Sequence, residues 1–222
     1  MKKKDIYAVI PAYNEERHIR NVLESVRKHC QNIIVVDDGS SDQTTRIVKR
    51  LPVIRISLPI NMGKGYALRK GVEYAISSGA LGIVTLDADG QHDPRHIPGF
   101  IQALDHFDVA IGIRRGHHPI PLIRKLGNRA GAVLISSLYG IYVQDLLCGF
   151  RSFRSSVYAQ IKWVSDRYGV ETEMIARIGT AGIKYTEIKI ENIYLDQFKG
   201  VSLLEAIEVF LSIPTFKISR RK

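Results

Sequence analysis

The chain has 222 residues, of which 45% are hydrophobic and 24% are charged, and its formal net charge is +10. This length and composition are typical of one large folded domain and exclude a disordered protein. Two cysteines are too few for a disulfide framework and fit a reducing compartment. The first residues lack the apolar core of a signal peptide, and no stretch approaches the ~20 apolar residues that span a bilayer. We therefore expect a single cytoplasmic domain over residues 1–222.

The positive charge is unevenly distributed along the chain. Residues 43–72 and 109–144 contain lysines and arginines but no acidic residue, and a further basic cluster follows Glu208. Such a distribution favours anionic partners, namely nucleotides, phosphorylated substrates, an anionic membrane surface or nucleic acid.

Apolar runs alternate with helical patterns through the first half of the chain. The runs predict strands over residues 6–10, 32–36, 53–57, 81–86 and 107–111. The helical spacing predicts helices over residues 15–29, 42–50, 65–77 and 94–104. This alternation predicts an α/β fold, a doubly wound, mostly parallel and Rossmann-like sheet flanked by helices, with ligands at the carboxyl ends of its strands.

The second half of the chain is less regular. Residues 112–121 predict a loop, and residues 183–190 alternate as a strand does. Helices are predicted over residues 122–142, 170–180 and 202–211.

Acidic side chains follow the predicted strands where that fold places its site. Glu15 follows the first strand, Asp38 the second, and Asp87 and Asp89 the fourth. The two residues of a D-x-D pair point to opposite sides of an extended chain unless the backbone turns, and Gly90 permits such a turn. The expected arrangement has one carboxylate on the ligand and the other on a hard metal such as magnesium or manganese.

Six motifs in order resemble glycosyltransferase family two, which has the GT-A fold. They are VIPAYNEE (9–16), IIVVDDGSSDQT (33–44), NMGKGYALRKG (61–71), LDADGQHDP (86–94), GNRAG (127–131) and DLLCGFRSF (145–153). Within that family the chain is most similar to polyprenyl-phosphate glycosyltransferases of the dolichyl-phosphate mannose or glucose synthase type. The resemblance covers residues 5 to about 195. Many such relatives continue into transmembrane helices, whereas this sequence ends at Lys222.

The resemblance implies a binding site for a nucleotide sugar. The nucleoside is expected among Pro11, Tyr13, Glu15, Val36 and Asp38. Asp38 would accept hydrogen bonds from a base edge. Lys64 would approach the nucleotide or the sugar, the alternative being a solvated loop lysine. Asp87 and Ala88 would lie against the ribose and diphosphate.

The resemblance also implies a catalytic metal and a lipid phosphate acceptor. Mg²⁺ or Mn²⁺ would be held by Asp89 and Gln91, with Asp87 as a further candidate ligand, and would neutralise the departing diphosphate. The acceptor phosphate would contact Arg114, Arg124, Asn128 and Arg129. Arginine suits this task because its guanidinium offers a fixed fork of donors to an oxyanion.

Asp145 lies where the wider family often places its catalytic base. A phosphate acceptor is already a nucleophile near neutral pH, so Asp145 would either take a proton or position Arg151 or the sugar. With Asp89, Arg114 and Arg124, it completes the predicted catalytic set. The predicted reaction is an in-line displacement that inverts the anomeric carbon.

Three alternative functions compete with this hypothesis. The same fold could transfer sugar to a soluble or saccharide acceptor. A haloacid dehalogenase-type phosphatase also uses a strand followed by D-x-D-G, but its motif normally lies near the N-terminus and continues with Thr rather than Gln91. A basic nucleic-acid-binding module would leave the strand-end carboxylates without a purpose, so no nucleic acid is expected as a partner.

A polyprenyl acceptor requires contact with a membrane. We expect peripheral attachment to the anionic cytoplasmic face through residues 119–142 or the basic tail 202–222, the alternative being that both segments pack on the sheet. The sequence leaves open which sugar and nucleotide are used, the polyprenol and the oligomeric state.

Overall fold

The computed structural model describes residues 5–115, 122–167, 169–191 and 210–216. The strands are β1 (Ile6–Ala12), β2 (Asn32–Asp37), β3 (Ile54–Ser57), β4 (Gly82–Thr85), β5 (Val109–Arg115), β6 (Arg151–Arg154) and β7 (Tyr185–Glu191). The helices are α1 (Ile19–Arg27), α2 (Thr44–Val48), α3 (Lys64–Ser77), α4 (Ile97–Ala103), α5 (Leu122–Tyr139), α6 (Tyr158–Ile161) and α7 (Val170–Ala181). Short 3-10 turns lie at Pro94–His96, Ser155–Val157 and Ile213–Thr215.

The seven strands form one sheet in the order β3-β2-β1-β4-β6-β5-β7. β1 pairs in parallel with β2 and β4, β2 with β3, and β5 with β7. β6 is antiparallel to both of its neighbours, β4 and β5. The prediction of a doubly wound, mostly parallel sheet is confirmed.

Two apolar cores lie on the two faces of this sheet, because consecutive strand residues point to opposite sides. Val9 and Val36 pack on one face among the buried residues of α3, α5 and α7. Ile10 and Val35 pack on the other face with those of α1 and α4. A sheet covered on both faces explains why its inner strands are apolar throughout.

Two boundaries differ from the sequence prediction. Residues 112–115 were predicted as loop but extend β5, which pairs with β7 as far as Arg115 opposite Glu191. Helix α5 ends at Tyr139 and not at residue 142, because Gly140 takes a positive φ of 70°. β6 and α6 were not predicted. Most of the helix predicted over 202–211, and the basic residues 217–222, lie outside the described residues.

None of the helices within the described ranges is long and apolar enough to cross a membrane.

Candidate active site

The carboxyl ends of β1 and β2 lie side by side and carry the predicted nucleoside residues. Pro11 and Val36 are direct neighbours across the two parallel strands, and both are buried. Tyr13 follows β1 and is 46% exposed. The Glu15 amide donates to Thr44 Oγ1 at 2.7 Å, which joins the loop after β1 to the start of α2. The structure therefore brings these residues to one edge of the sheet.

Asp38 is buried and supports the loop that precedes α3. Its two carboxylate oxygens accept hydrogen bonds from the backbone amides of Met62 (2.8 Å) and Gly63 (2.9 Å). Gly63 adopts a φ of 98°, a conformation in which a side chain would be strained. Asp38 thus fixes the backbone immediately before Lys64, and each of its oxygens retains a second lone pair for a base edge.

The D-x-D segment turns sharply after β4. Gly90 has a φ of 77°, a conformation that glycine permits, and Asp89 accepts a hydrogen bond from the Gln91 amide at 2.9 Å. The Asp87 amide donates to His92 Nδ1 at 3.1 Å, so this ring nitrogen is an acceptor and lacks a proton. After this turn the two carboxylates have different partners: Asp87 pairs with Lys64, and Asp89 accepts from the Gln91 amide.

Lys64 is the first residue of α3 and lies between two carboxylates. Its Nζ atom is 2.7 Å from Asp87 Oδ1 and 2.7 Å from Glu171 Oε1. Glu171 stands in the first turn of α7 and is only 5% exposed. Lys64 is therefore a bridging cation of the site and not a solvated loop lysine.

These charges move the pKa values of the two aspartates in opposite directions. Burial favours a protonated Asp87, but the charge of the Lys64 ammonium and its hydrogen bond outweigh this effect and lower the pKa of Asp87 to about 2. Burial and the nearby Asp87 charge raise the pKa of Asp89 to about 6. Burial lowers the pKa of His92 to about 4, so the imidazole is neutral at physiological pH. The negative charge of Asp89 is the less compensated one.

Gly149 lets the backbone pack closely against Asp87 and Lys64. A Cβ atom at this position would lie 2.9–3.0 Å from both Asp87 carboxylate oxygens and 3.0 Å from Lys64 Nζ. The backbone of residues 145–151 therefore forms one wall of the site.

Arg114 and Asp145 form a two-pronged ion pair in the same wall. Arg114 Nε donates to Asp145 Oδ2 at 2.7 Å, and a terminal nitrogen donates to Oδ1 at 2.8 Å. The Arg114 amide also donates to Oδ2, at 3.3 Å. Burial would raise the pKa of Asp145, but these bonds to Arg114 hold it below its usual value.

Arg151 has a structural task, because its guanidinium is 1% exposed and donates to the carbonyl oxygens of Leu146, Cys148 and Glu171. The sequence led us to expect that Asp145 takes a proton or positions Arg151 or the sugar, but its observed side-chain partner is Arg114. Arg151 fixes the backbone of the wall to the start of α7.

The remaining acceptor residues lie on α5. Arg124 and Asn128 are in this helix, but their side chains fall outside the described residues. Arg129 is exposed and borders an open groove of ≈ 470 Å³. The groove is lined by Arg129, Ala130, Val133, Leu134 and Ser137.

The donor set fits a hard divalent cation. Within the described ranges, no three His, Cys, Asp or Glu side chains form a preformed metal cluster. Asp89 nevertheless offers a carboxylate whose pKa is raised by burial and by the nearby Asp87 charge, and Gln91, whose backbone amide bonds this carboxylate, carries an amide side chain. Oxygen ligands of this kind suit Mg²⁺ or Mn²⁺, with substrate phosphates completing the shell.

Sequence reasoning missed two residues of this site. Glu171 was read only as part of a helix, and Gly149 only as part of a motif. Two acids in the first turn of a helix that is otherwise apolar, ETEM at 171–174, were the available signal for the first. Nothing local marked Gly149, because its role depends on Asp87 from a distant strand.

Comparison with known proteins decides the family. A family model described as glycosyl transferase family 2 matches residues 7–162. The chain belongs to glycosyltransferase family 2. It is 32% identical over 251 residues to the UDP-N-acetylglucosamine–dolichyl-phosphate N-acetylglucosaminyltransferase of Methanococcus voltae, an alignment covering 99% of each chain. It is 28% identical to the undecaprenyl-phosphate mannosyltransferase of Micrococcus luteus, covering 83% of this chain and 82% of that one.

The structural comparison concerns the fold. The crystal structure of glucosyl-3-phosphoglycerate synthase from Mycobacterium tuberculosis, in complex with Mn²⁺, UDP and phosphoglyceric acid, matches with a TM-score of 0.74 and 21% identity. The match covers 96% of this chain and 79% of that chain. The GT-A fold implied by the sequence motifs is confirmed.

Proposed function

We propose that this family 2 glycosyltransferase moves a sugar from a UDP- or GDP-linked donor to a polyprenyl phosphate at a membrane surface. Two relatives whose names specify dolichyl or undecaprenyl phosphate support this acceptor. The observation that carries the proposal is the ion pair of Arg114 with Asp145, beside the carboxylates that follow β4.

This ion pair favours an acceptor that needs no deprotonation. Asp145 accepts three hydrogen bonds from Arg114 and has a lowered pKa, so it is a poor general base. A sugar hydroxyl requires such a base, whereas a phosphate monoester already carries negative oxygens. Arg114 is held at the site as a donor to those oxygens.

The proposed reaction is a direct displacement at the anomeric carbon. Arg114 orients the acceptor phosphate so that one oxygen faces this carbon opposite the leaving diphosphate, which inverts the centre. Asp87, whose carboxylate is held by Lys64, lies on the ribose and diphosphate side of the donor. A divalent cation held by Asp89 and Gln91 would neutralise the leaving diphosphate. No side chain acts as a nucleophile.

Membrane contact is proposed to involve the exposed face of α5. Val133 is 55% exposed and Leu138 38% exposed, and Arg129 adds a cation on the same helix. Phe210 and Leu211, which are also exposed, extend the apolar surface available near the C-terminus. An apolar helix face with flanking cations suits the boundary between acyl chains and anionic head groups.

The proposal is tested by incubating the purified protein with labelled UDP- and GDP-sugars, Mn²⁺ and vesicles containing polyprenyl phosphate. Label that enters the organic phase only when the lipid phosphate is present supports it. Label that stays in water on a saccharide acceptor indicates the alternative transferase.

A further inference from the structure

Glu171 lies at the donor site without a task in the mechanism above. It is 5% exposed, and its carboxylate is 2.7 Å from Lys64 Nζ. The carbonyl oxygen of Glu171 accepts a hydrogen bond from buried Arg151 at 2.7 Å, which fixes the start of α7. A buried carboxylate on a fixed helix start has little freedom to leave its partner.

The backbone on the other side of the contact is equally fixed. Trp163 Nε1 donates to the Gly65 carbonyl oxygen at 2.8 Å, and the Tyr66 amide donates to the Asp166 carbonyl oxygen at 3.0 Å. A Cβ on Gly65 would lie 2.2 Å from the Ser165 carbonyl oxygen, so the two segments are in direct contact. The backbone next to Lys64 is therefore held in place, and the Lys64 ammonium is positioned by Asp87 and Glu171 together.

This arrangement limits what Lys64 can offer to a diphosphate. Two carboxylates share the single ammonium at contact distance, so much of its charge is already compensated. A second cation of this region, Arg151, is buried and donates its hydrogen bonds to backbone carbonyl oxygens. A diphosphate entering beside Asp87 and Asp89 then meets more negative than positive charge from these side chains.

We propose that Glu171 is a positioning residue that acts through Lys64: by holding the ammonium between two carboxylates, it keeps binding of the donor diphosphate dependent on a divalent cation. The inference rests on the proposed function insofar as the donor is a nucleotide diphosphate sugar. With Glu171 in place, the lysine stabilises Asp87 and cannot replace the cation. Without the charge of Glu171, the Lys64 ammonium becomes available to the phosphate oxygens.

The test is calorimetric titration of UDP and of GDP, each in Mn²⁺ and in excess chelator. The wild-type protein is expected to bind one of them at least about tenfold more weakly in chelator. Glu171→Gln is expected to tighten binding in chelator by about fivefold, which narrows the difference in affinity between Mn²⁺ and chelator. In a Lys64→Met background the same substitution is expected to have no such effect, because residues that act through one another are not additive.

Asp166→Asn is the matched control. It removes a carboxylate near the same loop, but this side chain is 53% exposed and pairs with Arg69 at 2.6 Å. Its binding ratio between Mn²⁺ and chelator is expected to equal that of the wild type. If Glu171→Gln does not fold, Glu171→Asp withdraws the carboxylate by one methylene and is expected to shift the ratio in the same direction.

The outcomes separate this inference from the proposed function. An unchanged ratio in the Glu171 variants, or an equal shift in the Lys64→Met background, overturns the inference. Failure of both nucleotides to bind in Mn²⁺ contradicts the proposed donor as well. Binding needs no lipid, so an inactive lipid acceptor leaves the result on Glu171 standing.

Discussion

Arg114 on β5 and Asp145 in the wall after α5 are joined by two side-chain bonds of 2.7 and 2.8 Å. The carboxylate also accepts from the Arg114 amide, so one residue determines both the backbone and the guanidinium orientation of the other. The pair converts a flexible side chain into a fixed donor for an oxyanion.

Asp145→Asn should therefore impair acceptor binding more than donor binding. The amide keeps the shape but loses the charge, and we expect the acceptor KM to rise roughly tenfold while the donor KM changes little. Steady-state rates with each substrate varied in turn provide the measurement. A fall in kcat of about a thousandfold with an unchanged acceptor KM would instead identify Asp145 as a general base.

Lys64→Met should destabilise the protein strongly. It leaves Asp87 and Glu171 facing each other without their shared cation, and removing one partner of a buried ion pair costs about 3 kcal/mol. Urea unfolding gives the difference in free energy. The double variant with Glu171→Gln should recover part of the loss, and a single variant as stable as the wild type would refute the ion-pair cluster.

Stability should respond to pH through His92 and Asp89 with opposite signs. The pKa of His92 in the folded protein is about 4, against 6.5 normally. The free energy of unfolding is therefore unaffected by His92 above pH 6.5, and it falls as the pH drops from 6.5 to 4, because the unfolded chain takes up the proton first. The folded pKa of Asp89 is about 6, against 3.8 normally, so its protonation stabilises the fold as the pH drops from 6 to 3.8. The two effects partly cancel in the wild type.

Single variants separate these contributions. Between pH 6.5 and 4, His92→Gln should lose less stability than the wild type, by about 3 kcal/mol, and Asp89→Asn should lose more. Urea unfolding in chelator at several pH values is the measurement. Parallel curves for all three proteins would show that neither group titrates as inferred.

The site was predictable from sequence where its residues are neighbours in the chain or follow successive parallel strands. Asp38, Asp87 and Asp89 were predicted in this way, because the carboxyl ends of such strands meet at one edge. Lys64 was predicted from the family motif alone. β6 was not predicted, because its four residues, RSFR, are too few and too mixed to show an alternation of apolar and polar positions. This strand depends on pairing with β4 and β5.

Contacts between segments that are distant in the chain could not be predicted from the sequence. The pairing of Glu171 with Lys64 joins the start of α7 to the start of α3, and only the packed sheet brings these helix ends together. Residues 112–115 were read as loop because Gly112 is normally unfavourable within a strand. In the fold its missing Cβ makes room for Cys148 and Phe150.

Asp89→Asn should nearly abolish turnover while the protein remains folded. Asp89 supplies the charged oxygen suited to a divalent cation, and its substitution relieves like-charge repulsion with Asp87. Activity is measured across a manganese titration, with thermal melting as the control for folding. Near-normal turnover of the variant, or full wild-type turnover in excess chelator, would refute the metal assignment.

Vesicle binding should depend on the apolar face of α5. Val133→Asp places a charge on a residue that is 55% exposed and should reduce flotation with anionic vesicles. Leu81→Asp is the matched control: Leu81 is equally exposed, at 55%, but precedes β4 and lies at the edge of the sheet opposite the site. Equal flotation of both variants, or equal binding to neutral and anionic vesicles, contradicts this surface.

A competition between acceptors tests transfer to lipid phosphate most directly. The protein is given one labelled nucleotide sugar, Mn²⁺, vesicles with polyprenyl phosphate and an equal concentration of a soluble saccharide, and both products are quantified. We predict that nearly all transferred label enters the organic phase as a sugar-phosphate lipid of inverted anomeric configuration. Label found mainly on the saccharide, or a lipid product with retained configuration, would contradict the account.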